Sequence, residues 1–341
     1  MFKNVYRFIF TLIFILKFAP IFSNNFAYVT NSIDSTVSVI ETGSNTVTAT
    51  IPVGKVPEGI AITPNGAFAY VVNSSDGTVN VIDTRSNTVI TTIPVGVFPS
   101  GVAITPNSAF AYVTNSIDGT VSVIETGSNL VTVTVTVGTQ PRGVAITPNG
   151  AFAYVTNQDD GTVSVIETGS NTVTATIPVG MAPQGIAITP NGAFAYVANQ
   201  TDNTVSVIET GSNLVTVTVT VGTQPRGVAI TPNGGFAYVT NQGDDTVSVI
   251  ETGSNTVTAT IPVGMAPQGI AITPNGAFAY VANQTDNTVS VIETGSNSVT
   301  TIIPVGNAPF GIAILQPVDT AKELLRSLKK KRLIYQKGLY P

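Results

Sequence analysis

Two sets of carboxylates recur along this 341-residue chain at a constant spacing of 42. One set closes a Thr-Val-x-Val-Ile segment and comprises Glu41, Asp83, Glu125, Glu167, Glu209, Glu251 and Glu293. The other sits in short polar stretches: Asp34, Asp76, Asp118, Asp160, Asp202, Asp244 and Asp286. Paired carboxylates serve general acid–base catalysis only where their environments push two pKa values apart. Sevenfold equivalence argues against that for the Glu41 set. A hard-cation loop needs a dense run of oxygen ligands, which the Asp34 set lacks; its neighbours are Asn, Ser and Gly, and turn chemistry accounts for it. The chain has no His and no Cys, so the commonest general base, the thiol nucleophile and the thiolate or imidazole metal site are missing. The expectation is no catalytic residue, no metal and no cofactor.

The residues that break the repetition are few. Between residues 26 and 319 there are 18 acidic side chains but only four basic ones, Lys55, Arg85, Arg142 and Arg226. A body charge of −14 excludes a phosphate-tracking nucleic-acid surface, which needs clustered Lys and Arg. Residues 1–25 carry +3 and residues 320–341 carry +6.

The elements that position these residues follow from the repeat itself. Phe-Ala-Tyr-Val begins at Phe26, Phe68, Phe110, Phe152, Phe194, Phe236 and Phe278, so seven units of 42 fill residues 26–319. Each unit holds four strand signals rich in Val, Ile and Thr, separated by turn residues. In the first unit these are Phe26 to Asn31, Thr36 to Glu41, Thr46 to Val53 and Gly59 to Thr63. Four strands in about 40 to 45 residues is the mark of a propeller blade. The fold expected is all-β, a seven-bladed β-propeller of four-stranded blades. Gly-Ile-Ala-Ile-Thr, uncharged and next to glycine, is the innermost strand; Thr-Val-Thr-Ala-Thr-Ile-Pro-Val, with its proline, is the edge. The chain opens on a second strand and ends on a surplus inner strand, Gly311 to Leu315, so exchange between the N- and C-terminal strands closes the ring.

Four units read Tyr-Val-Thr-Asn outright, from Tyr28, Tyr112, Tyr154 and Tyr238, and those from Tyr70, Tyr196 and Tyr280 differ by one residue. With the Ile-Pro-Val-Gly and Val-Ser-Val-Ile-Glu-Thr segments, the chain resembles the YVTN-repeat β-propeller family over all seven units. The resemblance implies an exported or surface protein, often without known activity, and a wider kinship with seven-bladed lactonase-like propellers. It carries over no catalytic residue, because the motif is a strand motif.

Function must then lie where the blades differ, in the connections entering the inner strands. Propeller topology sets these on the face that also carries Asp34 and its equivalents, around the mouth of the central channel. The candidate ligand or partner site there comprises Lys55, Glu58, Phe98, Arg142, Gln184, Arg226, Gln268 and Phe310. Drift in solvated loops is the plain alternative. A non-catalytic binding or interaction scaffold is preferred, for an unidentified protein, glycan or small anionic ligand; a lactonase-like hydrolytic propeller and a structural surface-layer or wall component are the alternatives. Glu58 is the one unique acidic residue at the mouth.

The ends carry address rather than fold. Lys3 and Arg7 precede the apolar run Phe8 to Leu16, as in a secretory signal peptide; an N-terminal anchor is the competing reading of residues 1–25. Either exports the body, which would be secreted, periplasmic or on the cell surface. Residues 320–341 read as a basic amphipathic helix whose Lys329, Lys330, Lys331 and Arg332 would contact a membrane or an acidic partner, or dock on the acidic body. Asn73, Asn199 and Asn283 begin Asn-x-Ser/Thr glycosylation sequons on what read as exposed turns.

Overall fold

The computed structural model describes residues 25–315. The signal or anchor segment and the basic tail lie outside the described residues. Within them the chain forms 28 strands, numbered here in chain order, in seven four-stranded antiparallel sheets. The first strands are β1 (Phe26–Asn31), β2 (Thr36–Glu41) and β3 (Thr46–Pro52). The inner strands are β4 (Pro57–Ile62), β8 (Pro99–Ile104), β12 (Pro141–Ile146), β16 (Pro183–Ile188), β20 (Pro225–Ile230), β24 (Pro267–Ile272) and β28 (Pro309–Ile314). Each inner strand contacts the next, and β28 returns to β4, so the seven form a closed ring.

Closure is by strand exchange. The sheet order β28-β1-β2-β3 joins the last inner strand to the first motif strand, pairing Ala27 with Ile314 and Val29 with Ile312. Repeat unit and blade are therefore offset by one strand. The core is divided among the blade interfaces: Tyr28, Val37, Val39 and Ile51 of one blade pack against Ile60, Ala69, Val71 and Ile82 of the next. The closing interface, Tyr280, Val289 and Val291 against Ala27, Val29 and Ile40, has the same composition. Proline ends the outermost strand in five of seven blades, at 52, 94, 178, 262 and 304, where the missing N–H faces no neighbour.

The Tyr-x-x-Asn motif is a set of latches. Each tyrosine is almost fully buried, and its hydroxyl donates to an asparagine in the next blade's outer turn: Tyr28 to Asn87 Oδ1 at 2.7 Å, round to Tyr280 and Asn45 Oδ1 at 2.7 Å. Those asparagines take positive φ, 53° at Asn87 and 54° at Asn45, which Asn tolerates. In the first blade Thr30 Oγ1 donates to the Glu58 carbonyl across the interface at 2.8 Å, and Asn31 Nδ2 ties Thr36 and Ser38 within the blade.

This last role overturns the glycosylation reading. Asn73, Asn199 and Asn283 have no exposed surface, and their amides are engaged by Thr78, Thr204 and Thr288. A glycan on any of them would have to displace core.

One boundary differs from expectation. The inner strand starts at Pro57 rather than Gly59, because Pro57 pairs with Asn73 while Ile60 pairs with Val71, leaving one extra residue bulged. Gly59 lies within this bulge, and a Cβ there would strike the Ser100 carbonyl of the neighbouring inner strand. Only glycine lets the seven inner strands approach so closely.

Candidate functional site

Two residues before each bulge the backbone takes the left-handed conformation without glycine: Val56, Phe98, Gln140, Ala182, Gln224, Ala266 and Ala308 have φ of 50–54°. Strain of this kind persists where surrounding bonds over-determine it. Here the Asp34 set supplies them. Asp76 Oδ2 accepts the Lys55 amide at 2.8 Å, Asp118 that of Val97 at 2.8 Å, and Asp34 both the amide and side chain of Asn307 at 2.7 and 2.8 Å. The repeated aspartates thus share one face with the incoming loops and hold them.

These bonds push the Asp34 and Asp244 carboxyls below the usual aspartate range, through Asn307 and Thr223 respectively. A depressed folded-state pKa gives stability that is present above the ordinary value of about 4 and lost as pH falls through the lower, folded value. Melting curves taken from neutral pH down to about pH 2 should show the wild type losing stability below about pH 4. Asp34→Asn with Asp244→Asn should melt lower at neutral pH and lose less on acidification.

The residues at the Glu58 position of the seven inner strands, all but Glu58 itself, line the channel mouth. In ring order they are Phe310, Glu58, Ser100, Arg142, Gln184, Arg226 and Gln268. A cavity of about 160 Å³ is lined by five of the predicted site residues, Arg142, Gln184, Arg226, Gln268 and Phe310, with Ser100 and the glycine ring. Glu58 joins through Ser100, whose hydroxyl donates to Glu58 Oε2 at 2.9 Å. Lys55 and Phe98 lie apart from the lining, on exposed loop positions. They are not equivalent to each other either: a step of 42 aligns Lys55 with Val97, and Phe98 with Val56.

A second ring was not anticipated. The residue after the motif asparagine buttresses the site: Gln158 Oε1 accepts from Arg142 Nε at 2.7 Å and Gln242 Oε1 from Arg226 Nε at 2.8 Å. Gln200 and Gln284 hold Gln184 and Gln268 at 3.2 and 3.1 Å. With each Nε committed, the paired Nη groups of both arginines are left to the cavity they line.

Electrostatically the mouth holds two guanidiniums and one carboxyl. Burial raises the Glu58 pKa, against the opposing pull of Ser100, Arg142, Arg226 and Ser74. Burial and the like charge of Arg142 pull Arg226 down, and Glu58 pushes it back up. The three groups therefore sense one another. Among the described residues no cluster of three or more acidic side chains is arranged to hold a metal ion. The Glu41 set is spent on outer turns, as in Ser44 Oγ to Glu41 Oε2 at 2.6 Å.

A family model described as lactonase, seven-bladed β-propeller matches residues 44–177 and 168–260, well over half of the chain. The chain belongs to this family of seven-bladed propellers. Among solved structures it is similar to hydrazine synthase of Kuenenia stuttgartiensis, at 25% identity and a TM-score of 0.73, covering 78% of this chain and 92% of that one. It is also similar to a functionally unknown protein from Desulfotomaculum acetoxidans, at 21% identity and a TM-score of 0.77, covering 86% and 99%. The dihydro-heme d1 dehydrogenase NirN, in complex with DHE, matches at 14% identity and a TM-score of 0.64, covering 85% and 75%. The last two likenesses speak to fold alone. No curated protein matches the chain.

Proposed function

We propose that this chain is an exported, non-catalytic binding propeller of the YVTN-repeat kind, which takes a small anionic ligand at the channel mouth. One observation carries the reading: Arg142 and Arg226, two of four basic residues in an acidic body, line the same cavity with their Nε groups already tied. Side chains held by their own supports are preorganised donors, and charge-assisted bonds to an anion are about twice as strong as neutral ones. The basic run before the apolar segment near the start supports export, and Lys329 to Arg332 offer an anionic membrane or acidic partner a second contact.

A thermal-shift screen of small carboxylates and phosphates against the purified protein tests the site. Ligands that stabilise the wild type should lose at least tenfold in affinity in Arg142→Ala with Arg226→Ala, about 1.4 kcal/mol or more. Unchanged affinity in the double variant would remove the ligand from this cavity.

A lactonase-like hydrolytic propeller is the second reading. The family match supports it, as does a half-buried carboxyl, Glu58, in the same ring as two arginines that could stabilise an oxyanion. Turnover of a lactone panel that Glu58→Gln abolishes would favour it over pure binding.

A further inference from the structure

The three charges of the mouth are distributed unevenly around the ring. Arg142 and Arg226 flank Gln184 on three successive inner strands, while Glu58 and Phe310 occupy adjacent strands on the other side. The cationic sector is met by hydrogen-bond donors, the opposite sector by a carboxyl and an aromatic ring. Glu58 accepts from the Ser100 hydroxyl but gains no bidentate arginine. A carboxyl drawn partly out of water is stabilised by a cation that reaches it.

From this we propose, resting on the anion-binding reading above, that the ligand is zwitterionic and of amino-acid size. Its carboxylate is held by Arg142 and Arg226, its ammonium by Glu58, and Phe310 adds an aromatic neighbour that attracts ammonium groups. Size limits the class. A cavity of about 160 Å³ is close to the roughly 150 Å³ that accommodates a benzene-sized guest, which fits a free amino acid rather than an oligopeptide or glycan.

The test is a matched titration of the full chain by calorimetry: glycine, alanine, norvaline and phenylalanine, each beside its des-amino acid (acetate, propionate, pentanoate and 3-phenylpropionate). At least one amino acid should bind tenfold or more tighter than its des-amino partner. Glu58→Gln should erase that preference while leaving the des-amino acid as tight or tighter, and Glu58→Asp should retain part of it. Arg142→Ala with Arg226→Ala should weaken both members of the pair. Des-amino acids binding as tightly as every amino acid, with the arginine dependence intact, would overturn the zwitterion and spare the anion site. Preference unaltered in a folded Glu58→Gln protein would overturn it equally. Binding of neither series, or binding indifferent to both arginines, would overturn the anion site as well.

Discussion

Deleting residues 309–341 is expected to cost several kcal/mol of stability, a large share of the roughly 5 to 15 typical of a domain. The deletion removes β28, and with it the inner strand of the first blade. Ala27, Tyr28 and Val29 lose their ladder partners Ile314, Ala313 and Ile312, and Thr30 Oγ1 loses the Gly311 amide it accepts at 2.8 Å. Ile312 leaves the cluster that joins the last blade to the first. Loss of β28 also leaves the β1 edge unpaired, an edge that the closed ring hides. Urea unfolding of the truncated and intact chains measures the loss. A truncated protein with the intact midpoint would show that the exchange is not what closes the ring.

The second large effect is expected in alkali. Burial pushes Tyr70, Tyr112, Tyr154, Tyr196 and Tyr280 up to about 12, and Tyr28 likewise with a contribution from Asp83. Tyr238 is raised by the same burial. An unfolded tyrosine ionises near pH 10. From there upward the unfolded chain sheds protons that the folded chain keeps, so the stability is complete below pH 10 and is lost as pH climbs toward 12. Each tyrosine adds a slope of about 1.4 kcal/mol per pH unit, and seven together approach roughly 10. Unfolding should therefore be steep, within about one pH unit of its onset. Tyr154→Phe should lower that slope by one proton. It should also cost about 1 kcal/mol at neutral pH, through the lost hydroxyl bond to Asn213 Oδ1. Denaturant midpoints that stay flat to pH 12 would contradict the latch assignment.

Of these two expectations only the first was legible in the repeat. The 42-residue step, the strand signals and the surplus inner strand were enough for blade number, strand order and closure, because each depends on local pattern repeated seven times. The tyrosine latch was not legible. Its acceptor lies 59 residues away in the next blade, and nothing near Tyr28 marks Asn87. The sequons misled for a related reason: Asn73 closes a strand and looks exposed, yet Thr78 and Asn80 draw its amide inward.

The site was half legible. Arg142, Gln184, Arg226, Gln268 and Phe310 stood out as differences between equivalent positions, and they share one cavity. Lys55 and Phe98 were grouped with them because variability alone does not say where a side chain points. Positive φ at Val56 and Phe98 turns the loop there, and only the bulge two residues later returns the chain to the channel. The buttressing ring could have been found. Where the inner position is Arg or Gln the residue after the motif asparagine is Gln, at 158, 200, 242 and 284; where it is Phe, Glu or Ser that residue is Ser, at 32, 74 and 116. The two positions vary together because a long polar side chain needs a long partner to tie it.

The most direct test of the central claim observes the arginines themselves. Arg142 and Arg226 have hydrogen-bonded Nε groups, whereas Arg85 sits on an outer turn of the second blade, bonded through its backbone to Asp83, and serves as an internal control. In a 15N-resolved spectrum of the arginine Nε–H groups, titration with a carboxylate that stabilises the protein should shift the Arg142 and Arg226 signals saturably. Arg85 should stay in place. Equal movement of all three, or binding seen by calorimetry without movement of Arg142 and Arg226, would contradict an anion site at the channel mouth.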